Sequence, residues 1–391
     1  MLRFLTAGES HGPALVGIVE GMPAGLTIDC ELINRDLARR QIGVGRSARM
    51  RIENDRVEIL GGVINNQTIG APVAFKIANR DYENWKNKIV PPQTIPRPGH
   101  ADLAGAIKYN LLADLRLVAE RASARETAMR VACGALARIL LAEFEIEIGS
   151  HVLEIGGVRA EIPDAPYPEL FARAQKSDVM VADAASAEKI RARIEQVMRD
   201  KDSVGGVIEV IALNVPIGLG SYAQWDRKLD GRFAHAVMSI PSVKGVEIGT
   251  AFANAREVGT RVQDEIFLND KLKMTNAKTQ MTNDERKMTN DKIKFTRRTN
   301  RAGGLEGGVT NGMPIVVRAA LKPVSTTMTP LQSVDVAKRE PALAVYQRSD
   351  FCHVPRACVI GEAMVAWVLA EAWMEKFGGD SMEEMKERMS E

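Results

Sequence analysis

The strand-forming stretches of this chain are not followed one for one by helices, and that spacing decides which folds are open to it. Residues 57–60 and 73–77 read as strands around a turn at Asn65-Asn66, and residues 207–213 and 315–321 read as two more. Periodicity predicts helices over 30–41, 101–115, 123–145, 186–200, 335–339 and 359–376. A doubly wound parallel sheet needs a crossover helix after each strand, so the pattern predicts an α+β fold instead. No GxGxxG follows a predicted strand, and no Gly-rich loop ends in Lys-Ser/Thr, so the common nucleotide fingerprints are absent.

At 391 residues the chain can bury a substantial core as one large domain or two ordinary ones. We read it as a single domain over 1–391 carrying a polar insertion at 268–297. In that insertion Lys273-Met274-Thr275-Asn276 recurs, nearly unchanged, at Gln280–Asn283 and Lys287–Asn290. Only one apolar residue returns per heptad, so a coiled-coil seam is missing. The segment reads as an exposed, mobile insertion, with a partner-binding arm as the alternative. Lysine and arginine (52) nearly balance aspartate and glutamate (50), which argues against a nucleic-acid coat protein. Residues 1–6 lead into a polar turn without a signal-peptide pattern. No apolar run reaches the roughly 20 residues that span a bilayer. The four cysteines, Cys30, Cys133, Cys352 and Cys358, lack CxxC spacing. They read as reduced thiols of a cytoplasmic protein rather than as a disulfide framework or, with His353, a metal site.

Two of the five histidines sit in turns where a core histidine is out of place. His11 lies in Gly8-Glu9-Ser10-His11-Gly12, and His100 in Arg97-Pro98-Gly99-His100-Ala101-Asp102. Glycine and proline break regular structure there and let the backbone approach a ligand. Imidazole both gives and takes a proton near neutral pH. Arginines accompany them. Arg121-Ala122-Ser123-Ala124-Arg125-Glu126-Thr127 holds an S-x-x-E pattern, which predicts a capping box and a helix amino terminus that attracts anions. An ordinary capped helix with solvated arginines fits equally well. Ala128, Ala132 and Ala135 give that helix a small-residue face for close packing.

Arg39-Arg40-Gln41-Ile42-Gly43-Val44-Gly45-Arg46 places Arg40 at a helix end and Arg46 in a glycine-loosened turn, where guanidinium forks can bind carboxylate or phosphate. The Gly303-Gly304 and Gly307-Gly308 pairs precede a strand ending in Lys322-Pro323-Val324-Ser325-Thr326, which suggests a phosphate or flat-ring cradle. A plain hairpin is the alternative. Arg348-Ser349-Asp350 precedes the last long helix, where Asp350 either serves as an acid–base group or caps the turn. Together these features indicate proton transfer on an anionic substrate.

The motifs GESHG, RRQxGxGR, RPGHAD, RxSARET, MSIPxVKGVEIG, AGGxEGGxTNG, KPxST and RSD occur in this order from residue 8 to residue 350. In this the chain resembles the chorismate synthase family over nearly its whole length, the insertion excepted. The resemblance implies a β–α–β sandwich, two antiparallel sheets enclosing a helical layer, and a homotetramer. It implies a lyase of the shikimate pathway that converts 5-enolpyruvylshikimate 3-phosphate to chorismate and phosphate by 1,4-anti elimination. Reduced FMN is required without net redox change. Some family members reduce FMN with NADPH themselves. No nicotinamide motif is visible here, which favours an external reductase. The resemblance puts His11 in the role of general acid toward the leaving phosphate, and His100 beside the reduced flavin. Asp350, relayed through Ser10, takes up the proton. Arg40, Arg46, Arg121 and Arg348 line the substrate cleft. Arg121, Ala122, Ser123, Pro241, Ser242, Gly307, Lys322, Pro323, Val324, Ser325, Thr326 and Arg348 hold FMN. Phe351, His353 and Arg356 stand where smaller residues are expected. The rival readings are a non-catalytic anion- or RNA-binding protein and an ordinary flavin oxidoreductase.

Overall fold

The computed structural model describes residues 2–45, 54–268, 295–347 and 349–390. Arg46, Arg348 and the heptad repeats therefore lie outside the described residues. The sheets and helices are named in chain order, apart from short hairpins and single turns. They are β1 (Arg3–Ala7), β2 (Ala14–Glu20), α1 (Cys30–Arg40), β3 (Val57–Gly61), β4 (Val73–Ala78), α2 (Asp102–Tyr109), α3 (Arg116–Ala122) and α4 (Thr127–Ala142). Then come β5 (Glu147–Ile155), β6 (Val158–Arg159), α5 (Tyr167–Lys176), α6 (Ala184–Arg199), β7 (Gly206–Leu213) and α7 (Leu229–Met238). The chain continues through β8 (Val243–Ile248), β9 (Ile315–Leu321), α8 (Val354–Phe377) and α9 (Met382–Ser390).

The first sheet has the order β1-β2-β4-β3 and the second β8-β9-β7-β5-β6, with every pairing antiparallel. Strand alternation sets what each sheet faces. Leu15 and Val19 on β2 and Val73, Phe75 and Ile77 on β4 point inward, whereas Leu5 and Ile18 remain exposed on the outer face. Helices α4 and α8 fill the space between the sheets. Helix α8 is apolar on every side, the pattern of a helix enclosed all round. It is long and apolar enough to cross a bilayer by composition alone, which the sequence reading did not register, but it is mostly buried inside the fold. The small-residue face of α4 allows the two helices to touch. A Cβ added at Gly134 would lie 2.4 Å from the Cβ of Ala363 on α8. The expected β–α–β sandwich is thus the fold observed.

The four expected strands and most of the expected helices are present, with shifted ends. The helix expected over 101–115 ends at Tyr109, because Asn110 turns left-handed at φ 57, and α3 starts only beyond it at Arg116. The helix expected over 335–339 is the turn of a hairpin, Gln332–Asp335 with Glu340–Leu343. Asp335 Oδ1 accepts from the Ala337 and Lys338 amides at 3.0 and 3.2 Å, a side-chain turn that competes with a helix. Helices α3, α5, α7 and α9 were not anticipated. The flanks of the polar insertion are ordered: Ile266–Leu268 pairs with Phe295–Arg297, and Arg297 is buried in a two-pronged bond to Glu306 at 2.7 Å.

Candidate active site

The His11 turn is pinned before any ligand arrives. Asn79, just after β4, donates its amide to the carbonyls of Glu9 and Gly12 at 3.1 and 2.8 Å. The same Asn79 accepts from Arg125 Nε at 2.8 Å, and Arg125 Nη1 bonds Asp55 Oδ1 at 2.6 Å. Glu120, on α3, grips His11 twice. One carboxylate oxygen accepts the His11 backbone N–H at 2.8 Å, and the other meets Nδ1 at 2.9 Å. This contact assigns the Nδ1 proton to the carboxylate side and leaves Nε2 as the nitrogen that Glu120 does not engage. The ring also lies against Trp85, with centroids 4.1 Å apart.

His100 is held in the same manner. Its Nδ1 meets Asp102 Oδ1 at 2.6 Å, and Arg97 binds that carboxylate from Nε and Nη2 at 2.7 and 2.9 Å. Burial alone would raise the Asp102 pKa. The hydrogen bonds from Arg97 and His100 outweigh it and hold this carboxyl well below the usual range. Gly99 needs its φ of +77 to make the turn, and its carbonyl accepts from Lys322 Nζ at 2.6 Å and Ser325 Oγ at 2.8 Å. This bond fixes the His100 turn to the end of β9.

These groups face one cavity of about 960 Å³, near the top of the range of roughly 300–1,000 Å³ typical of small-molecule sites. Ser10, His11, His100 and Asp350 all line it, as does Arg40 at the end of α1. Of the expected flavin-holding residues, Ala122, Ser123, Pro241, Ser242, Lys322, Val324, Ser325 and Thr326 line it too. Ser242 has φ +75, a sparsely populated conformation for a residue with a Cβ and one that clusters at ligand sites. Ser10 Oγ donates to Ser123 Oγ at 3.1 Å, which ties the two turns together. Asp350 accepts from Arg356 Nη1.

Three expected residues are not among those that line the cavity. Arg121 is not among the lining residues; its guanidinium turns to β1, donating to Thr6 O at 2.8 Å and Thr6 Oγ1 at 2.7 Å. Gly307 sits in the turn of the hairpin Leu305–Glu306 with Val309–Thr310 and is not a lining residue. The neighbouring glycines serve contacts within the chain: a Cβ at Gly303 would strike the Gly249 backbone, and one at Gly304 the Pro314 carbonyl. Pro323 is not a lining residue, although Lys322 and Val324 on either side are. The expected capping box is half present. Ser123 Oγ accepts from the Arg125 amide at 3.3 Å, but Glu126 bonds Arg130 Nε at 2.8 Å instead of reaching back.

Sequence reasoning missed the two orienting carboxylates, Glu120 and Asp102, and the lining residues Arg97 and Trp85; it placed Arg125 only at an anion-attracting helix end and Arg356 only as a larger residue than expected near Asp350. Asp102 had a signal, since it lies two residues from His100 in the same turn. Glu120 had none, because only the fold brings α3 to the His11 turn.

His353 also lines the cavity, and burial followed by repulsion from Arg356 pushes its imidazole down from 6.5 to about 4. The unfolded chain therefore binds this proton near pH 6.5, and the folded one only near pH 4. Stability falls as pH drops through that window and is unaffected by this group above it, by about 3 kcal/mol in all. Urea unfolding at pH 7 and pH 4.5 is expected to show this loss in the wild type and a smaller one in His353→Leu. Equal losses in both would refute the assignment.

The sequence family described as Chorismate synthase matches residues 2–374. A chorismate synthase of Desulforudis audaxviator (strain MP104C) is 52% identical, covering 98% of this chain and 95% of that protein. One from Geotalea uraniireducens (strain Rf4) is 50% identical over 99% of this chain and 97% of its own length. A solved structure titled "Crystal Structure of Chorismate Synthase" superposes with a TM-score of 0.77 at 41% identity, covering all of this chain and 96% of that one.

Proposed function

The chain belongs to the chorismate synthase family, and we propose that the cavity holding His11, His100 and Asp350 is where it works. The reaction is that of a carbon–oxygen lyase: 5-enolpyruvylshikimate 3-phosphate loses phosphate from C3 and a hydrogen from C6, giving chorismate. The observation that carries this reading is the convergence of two carboxylate-held histidines, Asp350 and Arg40 on one cavity.

The substrate carries two carboxylates and a phosphate, and Arg40, Arg97, Arg125 and Arg356 are among the residues that line the same space. His11 acts as general acid: with Nδ1 turned to Glu120, Nε2 delivers a proton to the departing phosphate. Asp350, working with Ser10, takes up a proton. The residues present fit a flavin. Pro241, Ile240 and Ala119 give the wall apolar surface, Ser242 is strained into it, and the Lys322–Ser325 stretch brings donors for a phosphate tail. Lys322, Ser325, Ser123 and Ser242 would hold FMN, and His100 would stand at its ring. Reduced FMN supplies an electron-rich ring that helps the allylic phosphate leave, with no net redox change. An external reductase supplies the reduced cofactor in this reading, since no nucleotide-binding fingerprint is visible. The exposed Leu5 and Ile18 on the outer face of the first sheet suit burial in a homotetramer.

The test is an anaerobic assay of phosphate release from the enolpyruvyl substrate. Release is expected with dithionite-reduced FMN and not with oxidised FMN, and the flavin spectrum is unchanged at the end. Release without any flavin, or stoichiometric flavin oxidation, would overturn the reading. The polar insertion is not part of the proposed site. Because Leu268 pairs with Phe295, a two-residue Asn-Gly turn can replace 269–294. FMN affinity of that variant is expected to stay within twofold of wild type by fluorescence titration; a large loss would place the segment in the site.

A further inference from the structure

The turn leading into α8 holds a set of polar atoms that the roles above leave unused. His353 is the N-cap residue of α8, and its side chain makes no cap bond. Both ring nitrogens are shut off from solvent without a hydrogen-bond partner. Arg356, in the first turn of α8, gives Nη1 to Asp350, yet its Nε has no acceptor. Arg40 is 3% exposed; its Nε donates to Thr127 Oγ1 at 3.3 Å, while Nη1 makes no hydrogen bond and stands 3.7 Å from Asp55 Oδ2. All three side chains line the cavity.

Buried donors without acceptors are costly, and a protein that keeps several beside one cavity keeps them for a ligand. Charge points to the same ligand. Arg125 and Arg356 repel the Arg40 guanidinium here, while Asp55 and Asp350 attract it. Burial, together with repulsion from Arg125 and Arg356, brings Arg40 down to about 10 despite the attraction of Asp55. An enclosed set of donors beside mutually close guanidiniums selects an oxyanion.

We propose that His353 and Arg356 are ligand-binding residues that complete, with Arg40, a seat for one oxyanion of the acidic substrate. The chemistry is shared by a carboxylate and a phosphate. The neutral imidazole gives one N–H to an anionic oxygen without adding to the crowded positive charge, and Arg356 Nε gives a second. The seat stands on these atoms alone; that its occupant is the lyase substrate rests on the reading under Proposed function.

The experiment is isothermal titration of the full chain, without flavin, using inorganic phosphate and shikimate as probes, on wild type, His353→Leu and Arg356→Lys. His353→Leu breaks no hydrogen bond, so its urea midpoint is expected to equal or exceed that of wild type, and His353→Asn serves as a second variant. Both substitutions are expected to weaken one probe, or both, by about tenfold. Loss of phosphate alone assigns the seat to a phosphoryl group, and loss of shikimate alone assigns it to a carboxylate. Unchanged affinities in both variants, or no binding of either probe by wild type, would overturn the proposal. A wild type that binds these anions but fails the turnover assay would remove the reaction and leave the seat standing.

Discussion

Replacing His11 by alanine is expected to lower kcat for phosphate release by about 10²–10⁴-fold, the range for loss of a positioned general acid. The size of the effect follows from how completely the ring is committed. Glu120 takes Nδ1 at 2.9 Å and the backbone amide at 2.8 Å, and Trp85 lies against one face. The other hydroxyl of the turn, Ser10 Oγ, donates to Ser123 Oγ at 3.1 Å. FMN affinity is expected to hold within twofold, because the residues proposed to hold the cofactor lie on other turns. Single-turnover phosphate release and flavin titration separate the two quantities. Glu120→Gln keeps an acceptor near Nδ1 but removes the charge, so a smaller fall in kcat at unchanged KM is expected. A His11→Ala enzyme within threefold of wild type would end the general-acid assignment.

The second large effect concerns stability. Glu362, in the middle of α8, is wholly buried. Its carboxylate accepts from Arg39 Nη1 and Nη2 at 2.7 Å each, from Arg138 Nη1 at 2.8 Å and from Ser150 Oγ at 2.6 Å. Burial alone would raise its pKa, but the attraction of Arg39 and Arg138 wins and lowers it, so the group is ionised when folded. Removing one partner of a buried ion cluster leaves uncompensated charge and costs about 3–5 kcal/mol. Glu362→Ala is therefore expected to lose that much in urea unfolding. The loss comes mainly from the stranded arginines, so a triple replacement of Glu362, Arg39 and Arg138 by leucine is expected to be less unstable than the single variant. A single variant within 1 kcal/mol of wild type would show that water or Asp36 neutralises the arginines instead.

What could be read from residues alone was local. Strands such as 315–321 announce themselves by β-branched runs, and the turns around His11 and His100 by glycine and proline. The two guanidiniums of the RxSAR motif were beyond such reading. Helix α3 ends at Ala122 and Ser123 is extended at ψ 143, so Arg121 and Arg125 leave on different elements. Arg125 enters the cavity wall and Arg121 returns to β1, an outcome fixed by Asn79, Asp55 and Thr6, all distant in sequence. The glycine pairs misled for a related reason. Positive φ and close approach are legible in a sequence, but the object approached is not: here it is the chain's own backbone at Gly303 and Gly304 and the Lys228 side chain at Gly308. The hairpin at 332–343 was hidden because Asp335 and Lys338 suit the ends of a helix as well as a turn.

Helix α8 has one consequence for how this protein comes into being. Its first turn walls the cavity, its middle anchors the arginines through Glu362, and Trp367 further on meets Phe4 of β1 edge-on at 4.6 Å. During synthesis on the ribosome, the stretch bearing His11 emerges early and has no α8 to close over it. The pocket can be assembled only after residues 350–377 leave the exit tunnel, so nascent chains stay incompetent, with apolar sheet faces open to chaperones, until nearly the whole length is made.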